Sequence, residues 1–121
     1  MPEIVIQYKD GMGVKEVWRK LVTMLREQCA ERFSVPQHKV SPRDFGVVDH
    51  PLVGASDPTH HVIIRILLHH FEERVRTGDV HAAALAKMAS DVLNSDELVA
   101  YRGRVTVGVS LAFAEIAWAA R

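Results

Sequence analysis

His60-His61-Val62-Ile63-Ile64-Arg65-Ile66-Leu67-Leu68-His69-His70 is the stretch on which the reading of this chain turns. β-Branched and long aliphatic residues fill it, which predicts a strand. Successive side chains of a strand point to opposite faces. Val62, Ile64, Ile66 and Leu68 therefore share one face, and Ile63, Arg65 and Leu67 share the other. Both faces are largely apolar, so both need a cover. A layer of helices can cover one. A second subunit is the simplest cover for the other.

Upstream, His50 to Thr59 is dense in Pro, Gly and Ser and reads as a loop. Phe45-Gly46-Val47-Val48 is the core of another strand. Pro42 would interrupt a central ladder, so that strand starts after Pro42 or lies at an edge. Between Val14 and Phe33 the period becomes helical, with Val17, Trp18, Leu21, Val22, Leu25, Cys29 and Phe33 on one broad face. Pro36 ends this helix by Ser34. Lys9 to Gly13 is a turn, and Glu3 to Tyr8 is a strand.

Downstream, Phe71 to Gly78 reads as a charged connection. Asp79 is placed to cap a helix over Val80 to Leu93, in which Val80, Ala84, Met88 and Val92 recur every fourth residue. Asn94-Ser95-Asp96 breaks it, with a short helical turn over Asp96 to Tyr101. Arg104 to Ala114 is the last strand. Val105, Val107, Val109, Leu111 and Phe113 form its large apolar face, opposite Thr106, Gly108, Ser110, Ala112 and Ala114. Glu115 to Arg121 is a tail carrying Trp118.

The order is β-α-β, loop, β-α-β. The fold class is α/β, in two layers: two β-α-β units form a four-stranded sheet with two helices on one face. The pseudo-repeat halves span about 1–50 and 60–116. Within each half the strands are expected to be parallel, joined by a right-handed crossover. At 121 residues the chain suits a single domain over 1–121.

Composition narrows the function. Hydrophobic residues make up 48% and charged residues 25%, as in a soluble globular domain. Fifteen basic residues balance fifteen acidic ones, so neither nucleic acid nor a membrane surface is an expected partner. The single cysteine, Cys29, reads as a buried small hydrophobe. No signal peptide and no run of about 18 apolar residues is seen, and a cytoplasmic location is the expectation.

Candidate chemistry begins at Pro2. Once the initiator Met is removed, Pro2 becomes the first residue, a free secondary amine at the mouth of a strand. Apolar surroundings disfavour its charged form and lower its pKa, which suits a general base or a nucleophile. Arg65, among Ile and Leu, is expected to be buried and must either be paired or hold an anion. Arg43, Arg74 and Arg76 read individually as solvated surface charge. The paired histidines, His60-His61 and His69-His70, suggest a metal, but neighbours on a strand point apart. His61 and His69 share a face yet lie about 26 Å apart along a strand. No metal site is expected, and no phosphate loop or nucleophile elbow is present.

This layout, starting on Met1-Pro2 and a strand, resembles the tautomerase superfamily. In length and segment order it is most similar to the 5-carboxymethyl-2-hydroxymuconate isomerase group. Matching features are the Met1-Pro2 start, Arg43 before the mid-chain loop, Arg74 or Arg76 just past the third strand, and Val109 to Ile116 ending in Glu115-Ile116. Pro42 beside Arg43 and the His-rich third strand depart from the family. The resemblance implies a homotrimer needing no cofactor, in which Pro2 moves a proton and arginines hold a small-molecule carboxylate substrate. Arg43, with Arg74 or Arg76, would bind the carboxylates, and Arg65 is a further candidate. The implied activity is isomerisation of a small unsaturated, hydroxymuconate-like acid, as in aromatic catabolism. Two rivals stand beside it: a non-catalytic ferredoxin-like interaction or small-molecule-binding module, and a related prolyl-amine decarboxylase or hydrolase.

Overall fold

The computed structural model describes residues 2–9, 14–51, 61–95 and 104–114. Within them lie β1 (Glu3–Tyr8), α1 (Trp18–Phe33), β2 (Gly46–Pro51), β3 (Val62–His69), α2 (Glu72–Arg76), α3 (Gly78–Ser95) and β4 (Val107–Ala114). Short 3-10 turns at Val14–Val17 and Pro42–Asp44 precede α1 and β2. Met1, the turn residues 10–13, the loop residues 52–60, the helical turn expected near 96–101 and the tail with Glu115-Ile116 and Trp118 lie outside the described residues.

The strands form one sheet in the order β2-β1-β3-β4. β1 and β2 are parallel, β3 and β4 are parallel, and the two halves meet along antiparallel β1 and β3. Apolar alternation sets this register. Ile4 pairs with Ile66 and Ile6 with Ile64, which puts the buried residues of both central strands on one face.

That face is covered by both long helices. Leu21, Leu25, Cys29 and Phe33 of α1 and Leu85, Ala89 and Leu93 of α3 pack with Ile4, Ile6, Val62, Ile64, Ile66 and Leu68 in a single core. α3 approaches β4 closely at Gly78, where an added Cβ would lie 3.2 Å from Leu111 Cδ1. The Asn94 side chain ties the other end of α3 to the start of β4. It donates to the Val105 carbonyl at 2.9 Å and accepts from the Val105 amide at 2.7 Å.

Pro42 does interrupt strand formation. It opens a 3-10 turn whose N-cap Ser41 and Asp44 satisfy each other, with the Ser41 amide 2.7 Å from Asp44 Oδ2. β2 starts beyond it and forms a sheet edge.

Three expectations are corrected. The connection after β3 contains α2. The buried row of α3 is Leu85, Ala89 and Leu93, and Val80 is 71% exposed. In an Ala-rich helix several stripes look equally apolar, and packing selects the one with the larger side chains. Finally, Arg65 is exposed, because the helices cover only the opposite face of β3.

On that uncovered face Val48, Val5, Arg65 and Ser110 form one cross-strand row. Leu67 is 39% exposed and Val48 40% exposed there. Gln7 shares the face, and its Oε1 is buried without a hydrogen-bond partner among the described residues.

Candidate active site at the Pro2 end of the sheet

Pro2 precedes β1 and is buried. Its carbonyl accepts from the Gly46 amide at 3.1 Å, which fixes the start of β1 against the start of β2. Glu3 is paired with both Gly46 and Leu67. The Pro2 end of the sheet is therefore also the end where β3 leaves it at His69.

Arg74 from α2 turns inward at this end and is 1% exposed. Its Nε donates to the Phe33 carbonyl at 2.6 Å, and its Nη1 to the His69 carbonyl at 3.1 Å. Its Nη2 donates to the His38 carbonyl at 3.1 Å and meets His38 Nδ1 at 3.0 Å. A guanidinium has five N–H donors and no acceptor, so four are committed within the chain. Phe33 is the last residue of α1, where unpaired carbonyls carry the negative end of the helix dipole. That dipole is the counter-charge for a buried cation that meets no carboxylate among the described residues. Burial lowers the Arg74 pKa from its ordinary value. The expectation that Arg74 is a solvated surface charge is thus corrected: α2 folds it beneath three backbone carbonyls.

Phe71 lies against this cluster. The Arg74 guanidinium carbon is 4.9 Å from its ring centroid, and the His38 ring stacks on it at 5.5 Å and 18°. The His69 ring meets His38 edge-on at 5.4 Å. Burial, then the charge of Arg74, lower the His38 pKa. His38 carries no sequence signal for this role, since its partner Arg74 lies far along the chain.

The other arginines fall differently. Arg43 lies in the 3-10 turn that leads through Phe45 into β2. It is exposed and makes no hydrogen bond or ion pair with a described residue, so its fork is open to an anion. Arg76 lines a shallow cleft of about 330 Å³ with Gln37, Glu72 and Glu73, where two carboxylates oppose an incoming anion. Arg65 stands on the open sheet face, about 10 Å along the strand from Leu68. The structure thus brings Pro2, Arg43 and Arg74 to one end, with Arg76 on the same helix as Arg74 but in its own cleft. Arg65 is separate.

Other polar groups among the described residues lie apart from this end. A cleft of about 500 Å³ runs along the outer side of α1 past Arg19, Thr23 and Met24 and holds none of these arginines. At the far end of β1, Lys15 and the Tyr8 hydroxyl both donate to Asp49 Oδ2, at 3.0 and 2.9 Å. Lys15 foremost holds the Asp49 carboxyl below its usual value, and both members of the ion pair are well exposed. Burial pushes the Cys29 thiol up to about 12, which leaves it unreactive near neutrality. No three metal-ligating side chains converge among the described residues.

The fold is shared with solved structures. One is N1, a member of the cis-3-chloroacrylic acid dehalogenase family, with a TM-score of 0.64 and 15% identity over 94% of this chain and 74% of that one. Another is native fused 4-OT, with a TM-score of 0.60 and 16% identity over 93% of this chain and 87% of that one. No family model and no curated protein matches the chain. At such identities the likeness is one of fold: a mixed sheet of four strands under two long helices.

Proposed function

We propose that this protein is a tautomerase or isomerase of small unsaturated carboxylic acids, with the Pro2 nitrogen as general acid–base. The observation that carries the reading is the placement of a buried Pro2 at the sheet end shared with the Arg74 cluster and the open fork of Arg43. Burial and nearby positive charge both disfavour a protonated amine. A prolyl nitrogen in that setting is a base near neutral pH and can return the proton it takes. The reading requires removal of Met1, since a retained Met1 makes the Pro2 nitrogen a tertiary amide.

In the reaction, Pro2 takes a proton from carbon beside the carbonyl of a 2-oxo acid. The carbonyl oxygen becomes an enolate, and the proton returns at another position of the conjugated system. Arg43 holds the substrate carboxylate through its planar fork. Arg74 adds positive field from beneath, with most of its donors already committed. A hydroxymuconate-like acid supplies the carboxylate and the conjugation that this needs.

The active unit is a homotrimer whose subunits cover one another's open sheet faces. Support comes from the exposed Leu67 and Val48 and from the unpartnered Gln7 Oε1 on that face. A second reading, hydrolytic dehalogenation by the same amine, is favoured by the fold shared with the cis-3-chloroacrylic acid dehalogenase family member.

The test is a UV-monitored ketonisation assay with phenylenolpyruvate and small dienol acids, using protein shown by intact mass to begin at Pro2. Pro2→Ala is expected to lower turnover by about 10²- to 10⁴-fold, the usual worth of a positioned acid–base group. Undiminished turnover in Pro2→Ala would sink the mechanism. Chloride release from 3-chloroacrylate, without ketonisation, would favour the dehalogenase reading. Full function with a blocked N-terminus would favour a non-catalytic module.

A further inference from the structure

We propose that His38 is a second catalytic residue of this site: a neutral imidazole whose Nε2–H donates a hydrogen bond to the substrate oxygen that becomes the enolate. The inference rests on the proposed tautomerase activity and assigns it a residue that neither the sequence reading nor the fold comparison supplies.

The tautomer follows from the partner. Arg74 Nη2 lies 3.0 Å from His38 Nδ1, and a guanidinium nitrogen can only donate. Nδ1 must then accept, and the ring proton sits on Nε2. Protonating Nδ1 would set one N–H against another and remove an acceptor from a buried cation. The His38 carbonyl accepts from the same Nη2, so backbone and ring are held by one group. The ring plane is fixed by its stack on Phe71 and by the edge of His69. A ring stacked on one neighbour, met at a steep angle by another and held in a defined tautomer is a preorganised donor.

The donor lies at the Pro2 end of the sheet and has no described partner. Nδ1 faces the buried guanidinium, so Nε2 lies on the far side of the ring, and His38 is partly exposed. No described group bonds Nε2. The cluster stands where β3 leaves the sheet at His69, the end at which Pro2 precedes β1. Proton transfer by Pro2 creates negative charge on the substrate oxygen, and a neutral N–H stabilises that charge without giving up its proton. No atom is gained or lost: one C–H bond breaks, one N–H bond forms at Pro2, and the electron pair moves to oxygen. Arg74, His69, Asp44 and the chain's N-terminal charge are the charged or titratable groups that act on His38 here, with Asp44 alone favouring its protonation.

Two substitutions and one spectrum test this in the protein with its native N-terminus. His38→Gln keeps an acceptor for Arg74 and a donor for substrate through its amide, so it is expected to retain most of kcat. His38→Phe keeps the stack on Phe71 but no donor, and is expected to lower kcat by about 10²-fold with KM little changed, as for loss of an oxyanion donor. In two-bond proton–nitrogen spectra the His38 ring is expected as the Nε2–H tautomer at neutral pH. Oxalate, added as a planar enolate mimic, is expected to shift Nε2 but not Nδ1.

Pro2-dependent turnover that is unchanged in folded His38→Phe would overturn the inference and leave the proposed function standing. If His38→Phe fails to fold, a His38 Nε2 signal unmoved by saturating oxalate, or a proton found on Nδ1, overturns it. Absence of turnover in the native-N-terminus protein would remove both.

Discussion

At the Pro2 end of the sheet Arg74 is 1% exposed and gives four of its N–H groups to acceptors of its own chain. In the middle of the open sheet face Arg65 is exposed and makes no described hydrogen bond or ion pair. The first is a clamp that joins the end of α1, the turn at His38 and the end of β3. The second is an exposed charge set among Val5, Ser110 and Leu67. Burial of a guanidinium is thus decided by which backbone carbonyls lie within reach, and the apolar residues flanking it in sequence do not predict it. The same contrast separates a buried clamp from the sheet face that the proposed assembly would cover.

The comparison can be broken first at Arg74. Arg74→Met takes from the Phe33 and His69 carbonyls their described side-chain donor and leaves the His38 carbonyl with the Val35 amide at 3.2 Å alone, at about 1–3 kcal/mol for each unpaired buried group. A total loss of roughly 3–5 kcal/mol is expected from urea unfolding, and Arg74→Lys should recover only part, since one ammonium cannot span the same acceptors. A loss under about 1 kcal/mol would show that the clamp carries little.

Next come two neighbours on β3. Leu68 faces the core at 1% exposed and Leu67 the open side at 39%. Leu68→Ala is expected to destabilise by about 2–5 kcal/mol. Leu67→Asp should leave the subunit fold intact and instead shift sedimentation from the proposed trimer toward monomer. Equal unfolding losses at both positions would erase the distinction between the two faces.

pH sharpens the contrast in a third way. His38 has a lowered pKa in the fold, from burial and then Arg74, so the unfolded chain takes up its proton first. Stability from this group is complete above the ordinary histidine value of 6.5 and declines as pH falls from there through the lower folded value. His81, lowered by burial and then by Arg32, contributes with the same sign. His38→Gln should flatten the slope of stability against pH between neutrality and mild acid, as read from urea midpoints. An unchanged slope would mean that His38 titrates alike in both states. The smallest effect is expected at Arg65. Arg65→Ser should alter unfolding of the monomeric chain by under about 0.5 kcal/mol, and a larger change that appears only at assembling concentrations would place Arg65 inside the interface.

Much of the fold was legible because apolar alternation sets faces and faces set register. Ile4, Ile6, Ile64 and Ile66 point the same way by count alone, and their pairing follows. Pro36 and Pro42 mark chain breaks through geometry local to each proline. Of the proposed site, Pro2, Arg43 and Arg74 could be named as candidates from the sequence. The burial of Arg74 and its contact with His38 could not, because their environment comes from Phe33 and His69, distant in sequence. The buried stripe of α3 was hidden by its alanines, and α2 by its charged residues, which give no apolar period to count.

The measurement closest to the central claim is the titration of the Pro2 nitrogen, followed by NMR in protein labelled with nitrogen-15 proline. The account predicts a secondary amine with a pKa below the ordinary α-amino value of about 8, rising when Arg74 is replaced by a neutral residue in a variant that still folds. A nitrogen that does not titrate, or one that titrates at or above the ordinary value, would contradict it.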